Sequence, residues 1–284
     1  MSTPSTSPEG QSLLSFDQVS LRFDEVVALD GISFELYAGE TRVVLGAAGS
    51  GKTTLLKAAI GLLRPDAGKI FLFGKEITHL EEEQLFELRS GVGVLFQEGG
   101  LFDSITVEEN VAYPLLNRGK QTESLAEVEE KVREALRFVE LEQTMEQYPS
   151  ELSGGMRRRV GIARAVVSEP PLVLYDSPTA GLDPITANTI MALIAKERDS
   201  KNTANLIVTQ RYQDGQLMAN FRYNRSSGHL EPASGNGAGG QRDSNPTRTV
   251  FMVMQEGRLV FEGTQHELEA CRDQYVQRFV PKHS

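Results

Sequence analysis

Apolar and polar residues alternate through SFDQVSLRF (15–23) and GISFEL (31–36), which predicts a strand-rich start over roughly Leu13 to Leu36. TRVVL (41–45) is an apolar run and predicts a buried strand. A helical pattern follows from Lys52 to about Leu62, and KIFLFG (69–74) and GVGVLFQ (91–97) are further strands. The middle, from about 103 to 168, is mainly helical. In SLAEVEEKVREALRFVEL, Leu125, Val128, Val132, Leu136 and Val139 recur every three or four positions, a core-facing stripe. After residue 169 strands and helices alternate again. PLVLYD (171–176) is a strand ending in an acid, and Pro184 to Arg198 is a helix with proline near its first turn. ANLIVTQ (204–210) is a strand, and VFMVMQEGRLVFEG (250–263) is a hairpin turning at Glu256–Gly257. Residues 222–248 are rich in Gly, Ser, Asn and Pro without periodicity and are expected to form a mobile surface insertion.

The length of 284 residues suits one large α/β domain, or a domain with a subdomain. A hydrophobic content of 39% is enough for a sizeable core. The formal charge of -10 argues against a general nucleic-acid binder, which would carry a basic face, and is read as a solubility feature. A single cysteine, Cys271, excludes a disulfide framework and a cysteine zinc site and fits a reducing compartment. No apolar run approaches the ~20 residues needed to span a bilayer. Residues 1–11 lack a basic region and an apolar stretch, so they are expected to be a short disordered tail rather than a signal peptide. Work at a membrane would then go through partner chains.

The chemistry begins at GAAGSGKTT (46–54), which follows a strand and opens a helix. It fits G-x-x-x-x-G-K-[ST] with Gly46, Gly51, Lys52 and Thr53. Its glycines let the backbone of Gly46, Ala47, Ala48, Gly49, Ser50 and Gly51 aim N–H groups at phosphate oxygens, and the helix opening at Lys52, Thr53 and Thr54 adds its positive end. Lys52 would reach the β- and γ-phosphates and Thr53 would bind Mg²⁺. Asp176, at the end of a strand, could hold the same Mg²⁺ through water.

Between these motifs lies LSGGM (152–156), followed by RRRVGIARA, and directly after Asp176 comes SPTAGLDP (177–184). With the phosphate loop, this set resembles the ABC ATPase family over about residues 13 to 280. The resemblance implies an α/β fold for residues 12–284. That fold is a P-loop NTPase core with an N-terminal antiparallel β subdomain and a helical signature subdomain at about 103–168. It also implies that Ser153, Gly154 and Gly155 contact the γ-phosphate of ATP held by an opposite subunit. Gln97 sits where the family has its Q-loop, which senses Mg²⁺ and γ-phosphate. Gly181, Leu182 and Asp183 resemble the D-loop at the dimer interface. Phe23 sits where an aromatic stacks on adenine, though a core role is equally open. The implied machine is a dimer, with a like or unlike second ATPase chain, that clamps ATP and drives membrane permease subunits. It would lie on the cytoplasmic face of the inner (plasma) membrane. Soluble family members of translation or repair carry two cassettes, coiled coils or zinc insertions, and no internal repeat or such insertion is found here. A narrower resemblance, carried by 94–115 together with LSGGMRRRVGIARA and SPTAGLDPITA, is to the ATPase of Mla-type lipid transporters, which work with a permease and a lipid-binding, substrate-capturing protein.

Two positions depart from the family. After Asp176 the family has a glutamate general base, and this chain has Ser177. After the strand ANLIVT it has a histidine, and this chain has Gln210. A serine hydroxyl takes no proton near neutral pH without another base, and glutamine carries no charge. Three readings stay open: a slow ATPase with a substitute base such as Glu98, an asymmetric pair with a complete ATPase, or an ATP-gated clamp. Arg157, Arg158 and Arg159 are expected on a solvated or interface face, and Glu81, Glu82 and Glu83 at a helix start.

Overall fold

A computed structural model describes residues 12–117, 123–233 and 249–281. The first half runs β1 (Leu14–Phe23), β2 (Val26–Leu36), β3 (Thr41–Gly46), α1 (Lys52–Ala59), β4 (Ala67–Leu72), β5 (Lys75–Glu76), α2 (Glu82–Arg89), β6 (Val92–Leu95), α3 (Val107–Leu116) and α4 (Leu125–Phe138). The second half runs α5 (Gly154–Val166), β7 (Leu172–Asp176), α6 (Pro184–Lys201), β8 (Ala204–Thr209), α7 (Tyr212–Asn220), β9 (Phe221–Asn224), β10 (His229–Pro232), β11 (Thr249–Gln255), β12 (Arg258–Gly263) and α8 (Gln265–Ala270).

Six strands form the central sheet in the order β12-β11-β3-β8-β7-β6, parallel except for β12. β3, β7 and β8 are buried at every position, which is why their sequences are continuous apolar runs: both faces of a parallel sheet are covered. A separate antiparallel sheet, β2-β1-β4-β5, encloses one core with α1, and its alternation follows from having one buried face. α3, α4 and α5 share a second core, with Val111, Val132, Leu136 and Val160 fully buried. A third, smaller core lies under the C-terminal elements, where Phe251 and Val253 meet Leu268 and Val276.

The helix starts are chemically marked. Thr106, Ser124 and Thr264 each cap a helix reciprocally with a glutamate three residues on. Glu81 does the same with Gln84, so the acidic run 81–83 does begin a helix. β11 and β12 turn at Glu256–Gly257, both at positive φ, a type I′ geometry that joins twisted strands.

Two expectations need correcting. Leu125 does not belong to the buried stripe; it is 75% exposed at the first position of α4, where the Ser124–Glu127 capping box, not burial, starts the helix. Residues 222–233 are not a loose insertion either, because β9 and β10 form a hairpin docked on α6. The Tyr223 N–H donates to Asp199 Oδ2 (2.7 Å), and the Lys196 ammonium lies 4.5 Å from the Phe138 ring centroid and 5.6 Å from that of Tyr223. The strands are short and polar, and their partners come from another element, so no local period betrays them. Residues 234–248 and the expected tail at 1–11 lie outside the described residues.

Candidate functional site

β3 leaves the sheet at Gly46, and the chain curls through exposed Ala47, Ala48 and Gly49 before α1 begins at Lys52. No side chain caps α1, so its first-turn N–H groups have no side-chain acceptor and their dipole favours an anion. Gly51, at the N-cap, has φ 103, and a Cβ there would stand 2.3 Å from Ala28 O. Only glycine permits this crossing. Lys52 Nζ donates to Gly46 O (2.8 Å), Ala47 O (2.8 Å) and Ser50 Oγ (3.3 Å). Burial lowers its pKa, and nearby Asp176 opposes that shift. A desolvated ammonium held mainly by neutral oxygens is poised for an anionic ligand.

β7 and β8 deliver the rest of the site to the same sheet end. Thr53 Oγ1 donates to Asp176 Oδ2 (2.9 Å), and Ser177 Oγ donates to Asp176 Oδ1 (3.0 Å). Thr53, Asp176 and Ser177 are thus one hydrogen-bonded group, joined to the loop that holds Lys52. A hydroxyl beside a carboxylate is a hard-oxygen donor set, and it fits Mg²⁺. Gln210 follows β8, which lies between β3 and β7, and is exposed at that end. Gln97 follows β6, the neighbour of β7, and is also exposed. Among the described residues, Gln210 and Gln97 make no hydrogen bond to the loop 46–54. The Glu98 side chain lies outside what the structure describes. Phe23 is 46% exposed at the β1–β2 turn, so it is not a core residue.

Ser153, Gly154 and Gly155 stand elsewhere, at the N-terminus of α5. Ser153 Oγ accepts the Met156 N–H (3.2 Å), and nothing lies within 4 Å of a Cβ placed on Gly154. A Cβ on Gly155 would meet Thr186 Cγ2 at 2.8 Å, so this end abuts the start of α6. There Asp183 caps the helix, accepting from the Ile185 and Thr186 N–H groups (3.0 Å each) and from Thr186 Oγ1 (2.6 Å). These bonds, the Thr186 hydroxyl first, hold its carboxyl below the usual range.

The arginines after LSGGM are not a solvated face. Arg158 is buried, and its Nη1 donates to the carbonyls of Ser177 (3.3 Å), Pro178 (3.0 Å) and Ala180 (2.9 Å). Arg157 donates to Leu152 O (3.0 Å) and Arg159 to Val139 O (3.0 Å). Lower on α5, Arg164 reaches Gly99 O (3.0 Å) and Gly100 O (2.8 Å) behind Gln97, and burial lowers its pKa. α5 therefore grips both loops of the site. Sequence reasoning also missed Asp214. This buried acid on α7 accepts from Thr179 Oγ1 (2.7 Å) and Thr209 Oγ1 (2.6 Å), bracing the loop after Ser177 against the end of β8. Burial raises its pKa, against those two bonds.

Residues 29–180 match the ABC transporter family. The chain belongs to that family. Among its relatives, the methionine import ATP-binding protein MetN of Carboxydothermus hydrogenoformans is 41% identical over 65% of this chain and 54% of its own length. The probable ribonucleotide transport ATP-binding protein mkl of Mycobacterium leprae is 41% identical over 63% of this chain and 51% of its own. The chain thus spans about half the length of these curated relatives. The TRIGALACTOSYLDIACYLGLYCEROL 3 protein of Arabidopsis thaliana chloroplasts is 34% identical over 94% of this chain and 73% of its own. The ABC ATPase fold is shared with solved structures. One is a dimeric ATP-binding cassette in a post-hydrolysis state bound to ADP and Pi, with TM-score 0.72 and 25% identity, covering 88% of this chain and 98% of that one. Another is cbiO1 of Clostridium perfringens, part of the ABC transporter complex cbiONQ, with TM-score 0.74 and 26% identity, covering 95% and 94%. Among the described residues of this ABC domain, no helix is long and apolar enough to cross a membrane.

Proposed function

We propose that this ABC domain binds MgATP on the loop 46–54, pairs with a second ABC chain and couples ATP binding and hydrolysis to transport by membrane permease subunits. The observation that carries this is the uncapped start of α1 beside a desolvated Lys52 and the Thr53–Asp176 pair: an anion cradle with a hard-cation site at its mouth. Thr53 and Asp176, with Gln97 nearby, would hold Mg²⁺, which neutralises phosphate charge. Phe23 would stack on adenine. The open N-terminus of α5 at Ser153, Gly154 and Gly155, abutting the start of α6, suits a group that completes the partner's site. Exposed Phe96, Phe102, Tyr113 and Leu116 on and near α3 suit docking of the permease. The domain would then sit on the cytoplasmic face of the inner membrane.

For the cargo, a lipid is the reading best supported. The plant relative named for a galactolipid aligns over 94% of this chain, whereas the methionine and ribonucleotide relatives align over only 65% and 63%. A lipid-capturing partner protein follows from the same reading.

One observation favours a second reading of the chemistry. Ser177 Oγ donates to Asp176 Oδ1, and a neutral hydroxyl at the base position is too weakly basic to take a proton near neutral pH. That suits a site that holds ATP and turns over slowly, as a clamp or as the weak half of an asymmetric pair. The test is ATP binding and hydrolysis by the chain co-purified with its membrane partner. Loss of nucleotide binding in Lys52→Ala, with permease capture retained, supports the proposal. Binding unaffected by Lys52→Ala sinks it. Ordinary transporter turnover in the wild type sinks the clamp reading.

A further inference from the structure

The last described segment of the chain reaches the phosphate loop. The Ala47 N–H donates to the Tyr275 hydroxyl oxygen (3.4 Å), and the Tyr275 hydroxyl donates to Met254 O (3.2 Å). Met254 ends the pairing of β11 with β3, opposite Gly46. The hydroxyl therefore sits over the joint where β3 becomes the loop. The other side of the same residue holds the lysine: Ala47 O accepts from Lys52 Nζ (2.8 Å) and from the Ser50 N–H (3.2 Å). A continuous polar chain thus runs from β11 through Tyr275 and Ala47 to the Lys52 ammonium.

Tyr275 is fixed from behind. Asp273 Oδ1 accepts the N–H groups of Tyr275 (2.8 Å) and Val276 (3.0 Å), starting a short turn. Val276 and Val280 are buried against Phe251, Val253 and Leu268, the core beneath this edge of the sheet. The Tyr275 ring meets Phe279 edge-on at 5.4 Å, and Arg278 lies 5.7 Å from its centroid. This segment is tied down on two sides.

We infer that Tyr275 is a positioning residue for nucleotide binding: its hydroxyl sets the Ala47 peptide, and with it Lys52, so that the C-terminal segment 273–280 and the phosphate loop stabilise each other. This rests on the reading of 46–54 as the ATP site. A loop held before the ligand arrives loses less entropy on binding it. By reciprocity, nucleotide must tighten the C-terminal segment by the same factor.

The experiment compares wild type with Tyr275→Phe, which keeps the ring against Phe279 and removes only the hydroxyl. Titration with ADP and with a non-hydrolysable ATP analogue gives Kd, and hydrogen exchange follows 273–280 with and without nucleotide. The expected result is a weakening of both nucleotides by about 2- to 10-fold, the range one hydrogen bond carries. Nucleotide-dependent protection of 273–280 is expected in wild type and should shrink by the same factor in Tyr275→Phe. A purely structural role would lower the ligand-free melting temperature and leave Kd unmoved. Unchanged or tighter binding in Tyr275→Phe overturns the inference while wild type still binds. Failure of wild type to bind either nucleotide would instead overturn the ATP reading, and the inference with it.

Discussion

Replacing Arg158 by methionine keeps the unbranched stem and removes the guanidinium that donates to Ser177 O, Pro178 O and Ala180 O. Ser177 O keeps a second donor, the Ala180 N–H at 3.1 Å, so the loss falls mainly on Pro178 and Ala180. Stranding a buried acceptor costs about 1–3 kcal/mol. Two of them, less the desolvation relieved by removing a buried cation, give a net loss of about 2–4 kcal/mol. At about 2–4 °C per kcal/mol for a domain of this size, the melting temperature should fall by about 5–15 °C. The assay is thermal unfolding without nucleotide, beside Arg158→Gln and Arg133→Met. Glutamine can serve one carbonyl and should fall between. Arg133 forms an exposed pair with Glu129, four residues earlier on α4, and its loss should cost under about 0.5 kcal/mol. The loop after β7 carries Ser177, so ATP turnover should fall as well. A melting temperature for Arg158→Met no lower than that of Arg133→Met would refute the view that α5 holds this loop through Arg158.

Ser177→Glu with Gln210→His should raise steady-state ATP hydrolysis by about 10²-fold or more, the usual worth of a general base, as read by phosphate release. Ser177 already has φ 50, so glutamate adds no new backbone strain. Glu197, buried near the Tyr175 and Thr203 hydroxyls with Lys201, Lys196 and Glu169 around it, has a pKa raised by burial to about 7. The folded state therefore binds this proton more tightly than the unfolded chain, so stability should fall as pH rises from about 4.5 to about 7. Glu197→Gln should remove that slope, matching wild type at low pH and exceeding it by about 1–3 kcal/mol above pH 7 in denaturant titrations. The Tyr175 hydroxyl is buried with no hydrogen-bond partner among the described residues, so Tyr175→Phe should be neutral or raise the melting temperature by a few degrees. A drop of more than about 5 °C would mean that the hydroxyl is satisfied after all.

The placement of the glycine-rich loop 46–54 between β3 and α1, of Asp176 at the end of β7 and of LSGGM at the start of α5 was legible in the sequence because each signal is local. A fully buried parallel strand must be apolar throughout, a loop that passes this close to Ala28 must have glycine where a Cβ would strike Ala28 O, and α1 must start where the loop ends. The absence of a glutamate at 177 and a histidine at 210 was equally plain, since it needs only the order of residues. Tertiary structure alone decided the rest. The arginines 157–159 look like a charged surface in one dimension, and only the fold brings the carbonyls of Ser177 to Ala180 around Arg158. Asp214 looks like an ordinary helical acid until Thr179 and Thr209 converge on it. The β9–β10 hairpin has strands too short for a period and takes its stability from α6. Tyr275 lies 228 positions from Ala47. Hydrophobic period and turn chemistry act over a few residues and leave a trace in the sequence, whereas a polar contact between distant segments leaves none until the core has packed and fixed which backbone groups face each other.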